Sequence, residues 1–128
     1  MRVLLDTHAF LWWITDDPRL STSARAVIAD AANELFLSAA SGWEMAIKAR
    51  LGRLEVAGDL PRVIPAHMAS NAVQSLPVQM GHALSVHGLP DIHRDPFDRI
   101  LVAQGLAEQM PILTQDENIA KYEVRVIW

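Results

Sequence analysis

Short apolar runs and helical stripes alternate along this chain from one end to the other. Val3-Leu4-Leu5 is wholly apolar and stops at an acid, as a buried parallel strand does. Asp6 is placed to cap a helix carrying Phe10, Leu11, Trp13 and Ile14, and Asp17-Pro18 ends it. Ser21-Thr22-Ser23 opens a second helix, in which Ala24, Val27, Ile28 and Ala31 recur at helical spacing. Glu34 to Ser38 predicts a second strand. Ala39 to Leu51 predicts a third helix, with Ala40, Trp43, Ile47 and Leu51 on one face and Gly52 suited to its C-terminal cap. The pattern from Asp59 to His67 is helical, but Pro61 and Pro65 shorten or break it. Ala72 to Leu76 reads as a strand, Pro77 to His87 as a helix ended by Gly88, and Leu89 to Asp95 as a polar loop. Pro96 to Met110 is a strong helical pattern with proline at its first position. Residues 111–114 and 124–128 predict the last two strands. Strands alternating with helices predict an α/β layered sandwich on a mainly parallel sheet.

Composition narrows the class. The chain has 128 residues, 51% of them apolar, which is too apolar for a disordered chain and enough for one domain over 1–128. It has no cysteine, which excludes a disulfide framework, a thiolate nucleophile and a Cys-ligated metal. No apolar run reaches the ~18–20 residues needed to span a bilayer. Asp6 falls where a signal peptide would be apolar, so no membrane association and a cytoplasmic location are expected. The net charge of −4 argues against passive, charge-driven binding of nucleic acid. If nucleic acid is bound, something must offset the carboxylates.

In open α/β sheets, ligands bind beyond the carboxyl ends of the strands. Asp6 follows the first strand directly, and Asp116 follows the strand that ends at Thr114. Asp98 lies in the first turn of the helix that begins near Pro96, and Glu44 in the second turn of the third helix. Four acids therefore come from four β-to-α junctions. Each also has a structural role open to it. Asp6 and Asp116 suit helix caps, Asp95 and Asp98 suit the N-cap and N3 positions of one helix, and Glu44 with Lys48 forms an i,i+4 pair. Together, four like charges at one edge repel one another, and a hard divalent cation removes that cost. The constellation favours metal-assisted phosphodiester chemistry.

Four blocks carry a resemblance: Val3-Leu4-Leu5-Asp6-Thr7-His8, Ser38 to Lys48 with Trp43-Glu44 inside it, His93-Arg94-Asp95-Pro96-Phe97-Asp98-Arg99, and Leu113-Thr114-Gln115-Asp116. In this order and spacing the chain resembles PIN-domain ribonucleases, and within them the VapC-type toxins of bacterial toxin–antitoxin pairs. The resemblance implies a three-layer α/β/α sandwich. It implies a catalytic quartet of Asp6, Glu44, Asp98 and Asp116, with Asp6, Asp98 and Asp116 as candidate ligands of Mg²⁺ or Mn²⁺. The family directs water at an RNA phosphate and leaves a 5′-phosphate and a 3′-hydroxyl. Thr7 and Thr114 match hydroxyl positions near the metal or phosphate, though either suits a cap. Asp95 is an extra acid whose place before Pro96 favours a cap. The implied partners are a VapB-type antitoxin, held by the early helices, and a second copy in a homodimer; Met45 suits such a contact.

Lys48, Arg94 and Arg99 lie nearest the acids and are the candidate phosphate contacts, unless Lys48 and Arg99 are spent on ion pairs within the cluster. Arg50 and Arg53 sit near a helix C-terminus, where the dipole alone accounts for them. His8 and His93 lie near the site, but the oxygen-rich set leaves them outside the metal shell. Trp12, Trp13 and Trp43 suit base stacking, but their helical spacing favours core or interface. Trp12 and Trp13 are not expected to face one core, which leaves one of them for a partner surface. A signalling receiver domain needs adjacent acids after the first strand and a late lysine, and only Asp6 stands there. A catalytically idle binding module on the same fold remains the alternative; it has no physical need for four mutually repelling acids.

Overall fold

Successive residues of the first strand point to opposite faces of the sheet, and each face has its own core. The computed structural model describes all of residues 1–128. Strand β1 (Arg2–Leu5) sends Val3 and Leu5 to one side and Leu4 to the other. On the first side they meet Ala9, Phe10 and Trp12 of α1 (Thr7–Ile14), Ala24 and Ile28 of α2 (Thr22–Ala29), Met45 of α3 (Ala39–Arg50) and Ile64 of α4 (Leu60–Ser70). On the second side Leu4 packs with Leu101 and Val102 of α6 (Pro96–Glu108) and with Met110, Ile119, Tyr122 and Val124. The remaining strands are β2 (Glu34–Ser38), β3 (Val73–Leu76), β4 (Ile112–Leu113) and β5 (Val126–Ile127), and α5 (Met80–Ser85) lies between β3 and α6 in sequence. The five strands are all parallel, in the order β3-β2-β1-β4-β5. This is the expected α/β/α sandwich, with β1 at its centre.

The register fixes which loops share an edge. Leu5 of β1 sits opposite Leu37 of β2 and Leu113 of β4, so the chain leaves all three strands at one level. Asp6, Ser38 and Thr114 are the residues reached there, and all three are buried. No helix is long and apolar enough to cross a membrane.

Several local expectations need correction. Of the face expected for α3, Ala40 is buried and Ile47 half-buried, but Trp43 is 65% and Leu51 61% exposed. Ser41, Glu44 and Met45 are buried beside Ala40, so a polar hydroxyl and a carboxylate occupy positions that hydrophobicity alone would not choose. Trp12 and Trp13 both face inward. Trp12 is 7% exposed, and the half-buried Trp13 packs on the same cluster while its indole N–H donates to Asn71 Oδ1 at 2.8 Å. Met45 is fully buried, which removes it as a contact for a partner. Helix α4 runs through Pro65 to Ser70; Pro61 and Pro65 are both exposed, so the carbonyl that lacks a donor is open to water. Helix α5 begins three residues later than expected, because Gln79 and His82 cap it reciprocally, and it tightens into a 3₁₀ turn at Val86–Gly88.

Candidate active site

Asp6 does two jobs at once. One oxygen, Oδ1, accepts the backbone N–H groups of His8 at 2.6 Å and Ala9 at 3.2 Å, and so caps α1. The other, Oδ2, accepts the Thr114 hydroxyl. The Thr114 oxygen in turn accepts the backbone N–H of Asp116 at 3.0 Å, so one threonine ties the acids after β1 and β4 together. Asp116 Oδ1 accepts the N–H groups of Asn118 at 2.7 Å and Ile119 at 3.3 Å, and its Oδ2 makes no hydrogen bond within the chain. A cleft of about 600 Å³ opens on Asp6 and Asp116, walled by His8, Trp12, Arg19 and Trp128.

The two helix-borne acids are held differently. Glu44 is 5% exposed; Oε1 accepts the Thr7 hydroxyl at 2.7 Å, and Oε2 pairs with Lys48 Nζ at 2.6 Å. Asp98 stands at the third position of α6, where Asp95 already caps the helix by accepting the N–H groups of Phe97 and Asp98. Freed of that duty, Asp98 Oδ2 meets His93 Nε2 at 3.1 Å, and Oδ1 has no partner within the chain.

Electrostatics shows that these acids sit close to one another. Burial pushes the Asp6 carboxyl above its usual range, against the opposing pull of Thr114 and of the Ala9 and His8 N–H groups. Burial also raises Asp98 to about 6; its bond with His93 lowers it, and the negative charges of Asp95, Asp116 and Asp6 add to the rise. No lysine or arginine forms an ion pair with Asp6, Asp98 or Asp116. The edge is an excess of negative charge without a counterion, and oxygen donors of this kind suit Mg²⁺ or Mn²⁺. The side chains do not yet converge on one point: no three of them stand in a ligating arrangement.

The flanking residues divide clearly. Lys48 is the partner of Glu44, on a half-buried stem. Arg94 is exposed and makes no hydrogen bond within the chain, so it is free to meet a phosphate. Arg99 is engaged: its guanidinium donates to the carbonyls of Pro90, His93 and Val86 and to Tyr122 Oη. His93 lies against Asp98, whereas the exposed His8 rests on Trp12. Trp43 stands at the surface with its ring edge-on to Phe97 at 5.4 Å between centroids. Arg19 and Trp128 went unnoticed in the sequence, yet both wall the cleft. Arg19 is forked onto Asp17 and lies 4.8 Å over the Trp12 ring. The pair Asp17-Pro18-Arg19 was the available signal, and only the turn after α1 brings it back over Trp12.

A three-layer α/β/α sandwich on an all-parallel sheet, with carboxylates gathered beyond its central strands, defines the architectural class. The PIN domain family matches residues 3–124, and the chain belongs to it. The chain is 28% identical over 121 residues to a protein named ribonuclease VapC22 from Mycobacterium tuberculosis, covering 94% of this chain and 91% of that one. It also superposes on a solved structure of VapBC2 from Rickettsia felis bound to a promoter DNA fragment, with a TM-score of 0.72 at 10% identity. That match covers 99% of this chain and 98% of the other. A structure of VapBC-1 from nontypeable Haemophilus influenzae gives a TM-score of 0.62 at 16% identity, covering 99% of this chain and 97% of that chain. At such low identities these two structures establish the fold.

Proposed function

We propose that this chain is a metal-dependent endoribonuclease, the toxin of a toxin–antitoxin pair. In this reading residues 1–128 act as one PIN domain, in the cytoplasm, as a homodimer held inactive by a VapB-type antitoxin. Family membership, the ribonuclease name of the M. tuberculosis relative and the VapBC origin of the structural neighbours support it. The observation that carries it is the electrostatic one: Asp6, Asp98 and Asp116 lie near one another at one edge, burial and mutual repulsion raise Asp98, and no lysine or arginine pairs with any of the three. An idle binding module gains nothing from that cost.

Asp6, Asp98 and Asp116 would hold the Mg²⁺ or Mn²⁺. When bound, the ion polarises a phosphoryl oxygen and lowers the pKa of its water. Asp98 Oδ1 and Asp116 Oδ2, the two oxygens of the quartet without a partner within the chain, would be free to face the ion, and either carboxylate would serve to orient an attacking water and accept its proton. Glu44 would complete the catalytic quartet while its two oxygens hold Thr7 and Lys48 in place at the rim of the site. Thr114 keeps Asp6 and Asp116 in fixed relation. Arg94, and Lys48 through any donor not spent on Glu44, are the candidate contacts to RNA phosphates. Arg99 supports the loop 86–93 rather than the substrate.

The test is cleavage of total cellular RNA by the purified chain with Mg²⁺, with Mn²⁺ and with EDTA, followed by mapping of product ends. Discrete, metal-dependent cuts with 5′-phosphates are the expected result. Full activity in excess chelator overturns the metal-dependent mechanism. No cleavage by folded, antitoxin-free protein favours the binding module.

A further inference from the structure

Three side chains from separate parts of the chain form a hydrogen-bonded line that ends on Asp98. Arg99 Nη1 lies 3.0 Å from Tyr122 Oη, Tyr122 Oη lies 2.8 Å from His93 Nδ1, and His93 Nε2 lies 3.1 Å from Asp98 Oδ2. The first member is held independently by three backbone carbonyls, those of Pro90, His93 and Val86. Tyr122 is 5% exposed, and its ring meets that of His93 edge-on at 5.6 Å.

The chemistry of these groups gives the line a direction. A guanidinium has donors and no acceptor, so Arg99 donates to the Tyr122 oxygen. An ionised carboxylate only accepts, so His93 donates to Asp98 through Nε2–H. A neutral imidazole then has Nδ1 as its acceptor, and the single phenolic proton of Tyr122 fills it. With His93 neutral and Asp98 ionised, every donor and acceptor in the line is matched, and each bond points toward Asp98.

We propose that Arg99 and Tyr122 fix His93 in its Nε2–H tautomer, and that His93 thereby positions Asp98, tying down Oδ2 and presenting Oδ1 to the bound ion. Carboxylates and imidazoles behind metal ligands act in this way, by orienting the ligand and tuning its basicity. This role rests on the metal-dependent reading above. It makes His93 and Tyr122 positioning residues, since neither meets substrate or ion in this scheme. It also explains why the arginine nearest Asp98 in sequence turns away from the cleft.

The experiment uses the full chain and two readouts, ¹⁵N NMR of the histidine ring nitrogens and Mn²⁺ affinity by titration calorimetry. The wild type is expected to show His93 with a protonated Nε2 and a bare Nδ1, and Tyr122→Phe to show mixed tautomers. His93→Ala is expected to weaken Mn²⁺ binding by about 10- to 100-fold. His93→Gln, which retains an N–H donor near the Nε2 position, is expected to recover most of it, and Asp98→Asn serves as the reference loss. Should His93 carry its proton on Nδ1, or Tyr122→Phe leave the tautomer unchanged, the directed line is overturned. If His93→Ala binds Mn²⁺ like the wild type while Asp98→Asn does not, the positioning role falls and the metal reading stands. If neither variant changes Mn²⁺ affinity, the metal reading fails and takes the positioning role with it. Circular dichroism of each variant separates these outcomes from misfolding.

Discussion

The acids that leave strands and the acids that ride on helices are held by different means. Asp6 and Asp116 are anchored by backbone N–H groups of the turns they open, and Thr114 joins them. Glu44 and Asp98 are anchored by side chains: Thr7 and Lys48 for the first, His93 for the second. The physical reason is the position of each residue in its element. A residue at a strand's carboxyl end, or in the turn after it, meets unpaired N–H groups of the following segment, so capping fixes its carboxylate for free. A residue within a helix has its neighbouring N–H groups already spent, or, like Asp98, has them taken by a cap residue. Its orientation then depends on partners brought from elsewhere.

The largest effect tests the strand-borne side. Asp6→Asn keeps a good N-cap side chain, so α1 and the fold are expected to survive. RNA cleavage is expected to fall by about 10²-fold or more. Cleavage at the wild-type rate would break the assignment of Asp6 to the site. Asp98→Asn is expected to lose activity as severely but to change stability in the opposite sense to an ordinary core lesion. The folded carboxyl titrates at about 6, against a usual value of 3.8. Between these values the folded chain holds the proton more tightly than the unfolded chain, so stability falls as pH rises through the window and the penalty stands at neutral pH. Removing the charge lifts it. With EDTA present, the variant is expected to gain about 1 kcal/mol at pH 7, after allowance for solvent screening, and a flatter melting profile between pH 4 and 7. A variant that melts below the wild type at pH 7 would show that His93 more than offsets the repulsion.

Smaller effects sharpen the helix-borne side. Thr7→Val leaves Glu44 Oε1 without its donor in a buried position. A loss of about 1–3 kcal/mol in urea unfolding is expected. No loss would mean that Lys48 alone satisfies Glu44. Asp95→Ala removes the cap of α6 at a cost of about 1 kcal/mol, with cleavage close to the wild type. A collapse of activity with unchanged stability would instead make Asp95 a working member of the site.

Much of this was legible along the chain. Asp6, Asp95 and Ser21 were readable as caps, because capping is local and its residue types are few. Strand β2 was readable from Glu34 to Ser38, since a short apolar run between a polar turn and a small-residue helix start leaves little choice. The inward face of α3 was not. Its buried stripe includes Ser41 and Glu44, so apolar spacing pointed to Trp43 and Leu51, which are exposed. The surroundings of Arg99 were not legible for a related reason. Proximity to Asp98 in sequence suggested a phosphate contact, whereas the next position on a helix points about 100° away. There it finds the loop carbonyls and Tyr122.

By itself the sequence determined the alternation of strands and helices, and with it the parallel sheet and the edge to which four acids belong. Those features follow from local periodicity and capping, which a chain carries with it wherever it folds. The tertiary structure alone decided the strand order β3-β2-β1-β4-β5, which makes Thr114 a bridge between Asp6 and Asp116. It alone set Arg99, Tyr122 and His93 in line behind Asp98, and returned Arg19 over Trp12. Most contacts of that kind join residues far apart along the chain. They depend on how both cores pack, and no local pattern encodes them.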